Sequence, residues 1–349
     1  MSVQAVNEII GQYQISSGFS SRQLEELASD SKVQLIQFSN PLKINEIDQL
    51  EKLVFSRRPD IALRIYGHYG HRCDLTFIER LPSLRKVSAD CLMDATGIEV
   101  VTQLENLEML GVGIFNLDNF SFLEKINPNV TKLLLHQTRS KKPNIESISR
   151  FEKIRFLYIE GQEKGIESIR NLTNLEEVVL RSISTKDVSY LTHLPKLWSV
   201  DIKLGGIENL DAIATLPQIK YLELWQIRGL SDLSFVAKLK TLQNLFLQSL
   251  KQLSALPNLS DCTSLRRLYL ENLKGLKDLS SLKSVPNLEE FIFVMAQNQK
   301  PADMVPVLEN SSVKRVSCGF GSHKKNEEFN TLAKLHSKEQ YRYSKFEYR

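Results

Sequence analysis

Cysteine is scarce in this 349-residue chain, and its four cysteines, Cys73, Cys91, Cys262 and Cys318, form no C-x-x-C pair. That spacing excludes a disulfide scaffold and the paired-cysteine metal or redox motifs. Glycine and proline are also few, at 15 and 11 residues, which excludes collagen and leaves no low-complexity linker. Neither sign of charge dominates. The 45 basic residues face 41 acidic ones for a net charge of +4, too balanced for a dedicated phosphate-binding protein. No apolar run reaches the roughly 18 residues that a membrane-spanning helix needs. The opening MSVQAVNEIIGQYQ has no basic stretch followed by an apolar core, so no secretory leader is expected and a cytoplasmic protein is. Motifs of chemistry are missing as well: there is no G-x-S-x-G, no P-loop and no H-E-x-x-H.

Leucine, by contrast, is abundant and unevenly spread. Of 52 leucines, 23 fall between residues 201 and 300, five before residue 51 and three after residue 300. The unevenness comes from a repeat of the form L-P-x-L-x-x-L-x-L. Copies start at Leu81, Leu104, Asn127, Phe151, Leu172, Leu194, Leu216, Leu239, Cys262 and Val285, in steps of 21 to 24 residues. The last positions of each copy alternate apolar and polar, as Leu222 and Leu224 do in LPQIKYLEL, which predicts a short strand. The second half of each unit places apolar residues every third position, as at Ile227, Leu230, Leu233 and Val236. That spacing suits a 3₁₀ turn or coil, since about 22 residues leave no room for a full return helix. One unit buries too little apolar area to stand alone, so neighbours must stack into a solenoid with a parallel sheet along one face.

These units resemble leucine-rich repeats of the short 22–23-residue class over at least residues 81–310. The resemblance implies an α/β leucine-rich-repeat solenoid with a concave parallel sheet, short 3₁₀ or coil returns and helical caps. It further implies a protein that recognises other proteins rather than an enzyme. One departure stands out: where the family usually has Asn or Cys, eleven residues into the unit, this chain has Ile183, Ile227, Leu250 and Leu273.

The chain ends differ from the repeats. VQLIQF (33–38) and ALRIY (62–66) read as strands, with helical spacing at Ile44, Ile47, Leu50 and Val54 between them. The expected organisation is a helix-containing cap over 1–56, a right-handed solenoid over 57–319, and a capping helix with a basic tail over 320–349. VKRVSC (313–318) fits a last strand, and Phe329, Leu332 and Leu335 mark the C-terminal helix. Residues 321–349 carry seven basic and four acidic side chains.

Candidate chemistry is thin. His68, His71 and Cys73 in GHYGHRCD are the only grouping that resembles metal ligands, and no second pair lies nearby to complete a site, so neither a metal nor a cofactor is expected. Glu160, Asp201 and Glu223 share an outward pattern that suits partner contacts better than an acid–base pair. In the tail, Tyr341, Tyr343, Phe346 and Tyr348 alternate with Lys and Arg, a pattern that can stack single-stranded nucleic acid, though a net +3 is weak for that purpose.

The sheet face remains. If the residues six and eight after each start point inward, those at five, seven and nine point outward. That face then carries Phe156, Tyr158, Tyr221, Glu223, Trp225, Phe246, Arg267 and Tyr269, with Glu223, Phe246, Tyr269 and Ile292 in one lateral row. Aromatic side chains mixed with charge are the composition of binding hot spots. The expected function is therefore a non-enzymatic adaptor or inhibitor that binds a protein or peptide there, with no role for a membrane. The competing reading has a terminal segment of the chain folded over the same face.

Overall fold

The computed structural model describes residues 2–68, 70–140 and 143–349. The chain divides into two compact units, Met1–Leu175 and Glu176–Arg349. The strands are β1 (Val3–Asn7), β2 (Gln12–Ile15), β3 (Leu35–Phe38), β4 (Ala62–Tyr66), β5 (Cys73–Asp74), β6 (Lys86–Leu92), β7 (Ala95–Thr96), β8 (Met109–Ile114), β9 (Lys132–Leu135) and β10 (Phe156–Glu160) in the first unit. The second holds β11 (Glu177–Arg181), β12 (Ser199–Lys203), β13 (Tyr221–Trp225), β14 (Asn244–Gln248), β15 (Arg267–Glu271), β16 (Glu290–Val294), β17 (Arg315–Cys318) and β18 (Glu339–Gln340).

In the first unit β1 and β2 form an antiparallel hairpin, after which β2, β3, β4, β6, β8, β9 and β10 run parallel in that order. The short β5 and β7 pair with each other alone. In the second unit β11 to β18 are parallel neighbours in sequence order. Register repeats with the sequence: Ser199 pairs with Tyr221, Tyr221 with Asn244, Asn244 with Arg267 and Arg267 with Glu290. One strand per repeat, in parallel and in register, with tight 3₁₀ returns, is a leucine-rich-repeat solenoid.

The alternation works as the spacing predicts. Leu222, Leu224, Leu245, Leu247, Leu268 and Leu270 are wholly buried, and the returns close the core with Leu233, Phe235 and Val236. Four returns of the second unit begin at an Asp or Asn whose side chain accepts the amide two residues on. Asp187 holds Ser189 at 2.9 Å, Asn209 holds Asp211 at 2.9 Å, Asp232 holds Ser234 at 2.8 Å and Asp278 holds Ser280 at 2.8 Å. Such Asx turns start the 3₁₀ turn without using a main-chain acceptor.

The far corner is made differently. Ser182, Leu204, Gln226, Ser249, Asn272 and Met295, each ten residues into its repeat, are left-handed, with φ between 50° and 56°. At five of these corners the amide donates across to the next strand, at 2.7–3.0 Å: Ser182 to Lys203, Leu204 to Trp225, Gln226 to Gln248, Ser249 to Glu271 and Asn272 to Val294. This main-chain bond forms one residue before the position of the family's Asn or Cys. The apolar residue after the corner, such as Ile183, Ile227, Leu250 or Leu273, is free to enter the core and does so.

At the start of the chain, Ser20 and Gln23 cap α1 (Ser21–Ser29) reciprocally. The buried Glu46 of α2 (Ile44–Leu50) accepts the Gly18 amide at 2.7 Å and the Ser17 hydroxyl at 2.9 Å. Ile47, Leu50 and Val54 are buried as their spacing predicts, whereas Ile44 is exposed. A short α3 (Val305–Glu309) precedes β17. The last helix, α4 (His323–Leu335), buries Phe329 and Ala333, with Phe329 stacked on Phe320 at 5.7 Å. Leu335, expected on that inner face, is 75% exposed, because the helix turns Ala333 inward instead.

Two stability changes should follow. Leu224→Ala should cost roughly 2–5 kcal/mol in urea denaturation, through lost burial and the cavity left behind. Gln226→Gly, at an exposed left-handed corner, should stabilise by up to about 1 kcal/mol, the strain relieved slightly exceeding the chain entropy lost. A loss of stability in the glycine variant would show that the chain entropy lost, rather than the strain relieved, dominates there.

Candidate functional site

Phe156 and Tyr158 belong to the first unit, and the other six predicted residues to the second. Lys132 sits over the Phe156 ring at 4.5 Å, and Tyr158 donates to Glu160 at 3.0 Å while stacking on His136 at 4.8 Å. A polar network on the same unit escaped the sequence reading. Arg64 forms an ion pair with Asp90 at 2.6 Å and donates to Gln37 at 3.1 Å; Ser88 donates to Asp90 at 2.7 Å, and Gln37 and Tyr66 both donate to Gln14. Burial raises the Asp90 carboxyl, but hydrogen bonds from Arg64 and Ser88 outweigh it and leave the group below its ordinary value. Beside this network, Gly111 and Gly113 fill the outward positions of β8. A Cβ on Gly113 would meet Asp90 at 3.0 Å, and one on Gly111 would collide with the Ser88 hydroxyl. Those glycines serve close strand approach, not a phosphate.

In the second unit the expected row is present: Glu223, Phe246, Tyr269 and Ile292 are register partners in turn. The side chains are less exposed than an open sheet face would leave them. Tyr221, Trp225, Phe246 and Tyr269 are half-buried, and Glu223 and Arg267 are buried. Three sets of contacts account for this. Phe246 and Tyr269 pack edge to face at 4.5 Å. Arg267 bonds Glu290 at 2.5 Å, and Arg315 reaches the same carboxylate at 2.5 Å, so Glu290 is buried between two cations.

The third set centres on Asp201. Lys203 bridges Asp201 at 2.8 Å and Glu223 at 3.1 Å, and Tyr221 donates to Glu223 at 2.5 Å. Arg181 and Lys203 stand over the Trp225 ring at 5.6 and 5.7 Å. Asp201 is buried, and its Oδ1 has no hydrogen-bond partner. Burial and the charge of Glu223 push its carboxyl up to about 7. Glu160, grouped with these acids by pattern, lies in the first unit.

The C-terminal segment completes the face. After β18 pairs with β17, the Tyr341 amide donates to Val316 at 2.9 Å, and the chain then lies against β15, β14, β13 and Trp198. Arg267 stands over Tyr341 at 5.4 Å and over Phe346 at 4.9 Å. Tyr348 packs on Trp198 at 5.0 Å and on Tyr221 at 6.5 Å. Three of the four tail aromatics that could have stacked nucleic acid are therefore engaged on the protein itself, and Tyr343 alone is 92% exposed. The competing sequence reading holds in part: the tail covers the Tyr221 and Arg267 end of the face.

The three residues of the His68, His71 and Cys73 grouping sit in different surroundings. His68 is buried, with Nδ1 3.1 Å from the Tyr66 carbonyl, and burial lowers its pKa. His71 is exposed, while Cys73 is buried and its thiol is pushed up to about 12. Among the described residues no three His, Cys, Asp or Glu side chains are placed to hold a metal ion. None of the described helices is long and apolar enough to cross a membrane.

No family model and no curated protein matches the sequence. Solved structures do resemble it. An internalin of Listeria monocytogenes is 17% identical, with a TM-score of 0.48, over 89% of this chain and 88% of that one. A leucine-rich-repeat protein of Leptospira interrogans is 17% identical, with a TM-score of 0.49, over 93% and 99%. A plant peptide hormone receptor, RGFR1 in complex with RGF2, is 14% identical, with a TM-score of 0.48, over 87% of this chain and half of that one.

The Asp201 cluster generates a pH dependence. A carboxyl raised from 3.8 to about 7 binds its proton more tightly in the folded state, so its stabilising effect is present at low pH and is lost as pH rises from about 4 through 7. Asp201→Asn should remove that decline. In urea titrations the variant should match wild type near pH 4 and exceed it by roughly 1–3 kcal/mol at pH 8, after discounting for screening. A constant difference between the two across that range would show that Asp201 does not titrate there.

Proposed function

We propose that this chain is a non-enzymatic binding module, an adaptor or inhibitor in its mode of action, that engages a protein or peptide on the outward sheet face of its second unit. Tyr221, Glu223, Trp225, Phe246, Arg267 and Tyr269 carry that role, and Phe156 and Tyr158 offer a separate patch on the first unit. The organisation proposed with it is a cap over 1–56, a solenoid over 57–319 and a capping helix with tail over 320–349. One observation carries the reading: a stretch of polypeptide already lies on this face, held by Gln243, Arg266 and Arg267 at the starts of β14 and β15. The chemistry agrees. Aromatic rings with charged groups packed against them present large, rigid contact area with fixed polar partners. Lys203 bonds both carboxylates of the Asp201 cluster and Tyr221 closes on Glu223, an arrangement suited to fixed polar contacts with a partner.

Trp225 and Tyr269 test this reading, because both lie on the face away from the leucine core. The Trp225→Ala/Tyr269→Ala chain should melt close to wild type yet bind its captured partner at least roughly thirtyfold more weakly, the loss expected when a hot spot is truncated. Calorimetric titration of the purified pair reads the affinity. Unchanged affinity in a folded double variant would remove this face as the binding surface.

A further inference from the structure

The tail is held in a way that packing alone does not require. Gln243 donates through Nε2 to the Arg349 carbonyl at 2.7 Å and accepts the Arg349 amide through Oε1 at 2.9 Å. Arg266 donates to the Glu347 carbonyl at 2.9 Å, and Arg267 to the Ser344 carbonyl at 3.3 Å. Four bonds thus run from side chains of the sheet to main-chain groups of the tail, so they read an extended backbone whatever its sequence. The side-chain contacts add selectivity. Phe346 lies beneath Arg266 at 5.1 Å and Arg267 at 4.9 Å, and Tyr348, two residues on, packs on Trp198 and Tyr221 with its hydroxyl 3.5 Å from Asn244. The arginines are prepositioned, Arg266 by Glu289 at 3.2 Å and Arg267 by Glu290. Glu289 also faces the Arg349 guanidinium at 3.6 Å.

The hold is nevertheless shallow. Beyond Tyr341, among the described residues, no main-chain hydrogen bond joins the tail to the main chain of a strand. Tyr348 keeps 37% of its surface in solvent, and residues 342–345 are exposed.

We propose that Trp198, Tyr221, Gln243, Asn244, Arg266 and Arg267 form a groove for an extended peptide bearing two aromatic side chains two residues apart, and that residues 344–349 occupy it as a tethered stand-in which such a partner displaces. The proposal deepens the binding function above and rests on it. A tethered segment acts at an effective concentration of about millimolar, so the tail sets a threshold that a free peptide must exceed. The preferred partner segment follows the tail's own chemistry: aromatic, any residue, aromatic, then a basic residue facing Glu289.

The probe is a fluorescein-labelled synthetic peptide of residues 340–349, titrated by anisotropy against full-length chains. Binding should be roughly tenfold or more tighter to the Phe346→Ala/Tyr348→Ala chain, whose own tail is weakened, than to wild type. Adding Gln243→Ala to that chain should abolish most of the gain, and a peptide with both aromatics changed to Ala should not bind. Equal binding to both chains, or none to the double variant, overturns the proposal. So does a wild-type dimer that the double variant dissolves, because the occupant would then be the tail of a second copy. If the double variant does not fold, saturating peptide on the wild-type chain should strip hydrogen-exchange protection from the Arg349 amide; unchanged protection overturns it equally. No cellular partner enters these titrations, so their failure stays separate from that of the Trp225/Tyr269 experiment.

Discussion

Burial of paired leucines between neighbouring strands is the interaction on which everything else depends. Leu222 and Leu224 have no core of their own to enter; they are buried because Leu245 and Leu247 stand in register beside them. Stability is therefore a nearest-neighbour quantity, built up strand by strand. This constraint spends only the inward positions and the returns. The outward positions lie off the leucine core, which is why a buried ion pair, an aromatic pair and a two-glycine strand can occur on one repeat plan without disturbing it.

Much of this was legible because it depends on spacing. Residues 62–66 alternate cleanly and form β4 over those residues, and the unit length excluded return helices before any contact was known. The apolar triplet Leu230, Leu233 and Val236 marked a 3₁₀ return, and Ser234–Lys238 is one. Other features leave no periodic trace. The hairpin of β1 and β2 has strands of only five and four residues, too short for alternation to stand out. The left-handed corners escaped because Leu204 and Gln226 adopt by tertiary demand a conformation their side chains disfavour, where a glycine would have announced itself. Asp and Asn at the return starts were visible as residues, and only their recurrence two places before four 3₁₀ turns of the second unit could have revealed their task.

On the outward face the limit was different in kind. Alternation correctly placed Tyr221, Phe246 and Tyr269 off the core, but alternation has no knowledge of residues more than a hundred positions away. Arg349 meets Gln243 across 106 residues of sequence. The tail's aromatic and basic pattern, which suggested a polyanion, turns out to match the arginine-and-glutamate floor of its own sheet. Composition named the kind of surface, and topology decided what lies on it.

The corner amides give the stack a direction. Five corners of the second unit donate to the strand that follows, so the repeats between them offer a donor on one side and an acceptor on the other. Cutting a whole repeat from the middle of such a unit, or duplicating one, brings together edges that already match. The β1–β2 hairpin does not offer such an edge, because its strands run antiparallel. Growth and loss by whole repeats thus have permitted places in this architecture, and they lie among parallel strands that share one register.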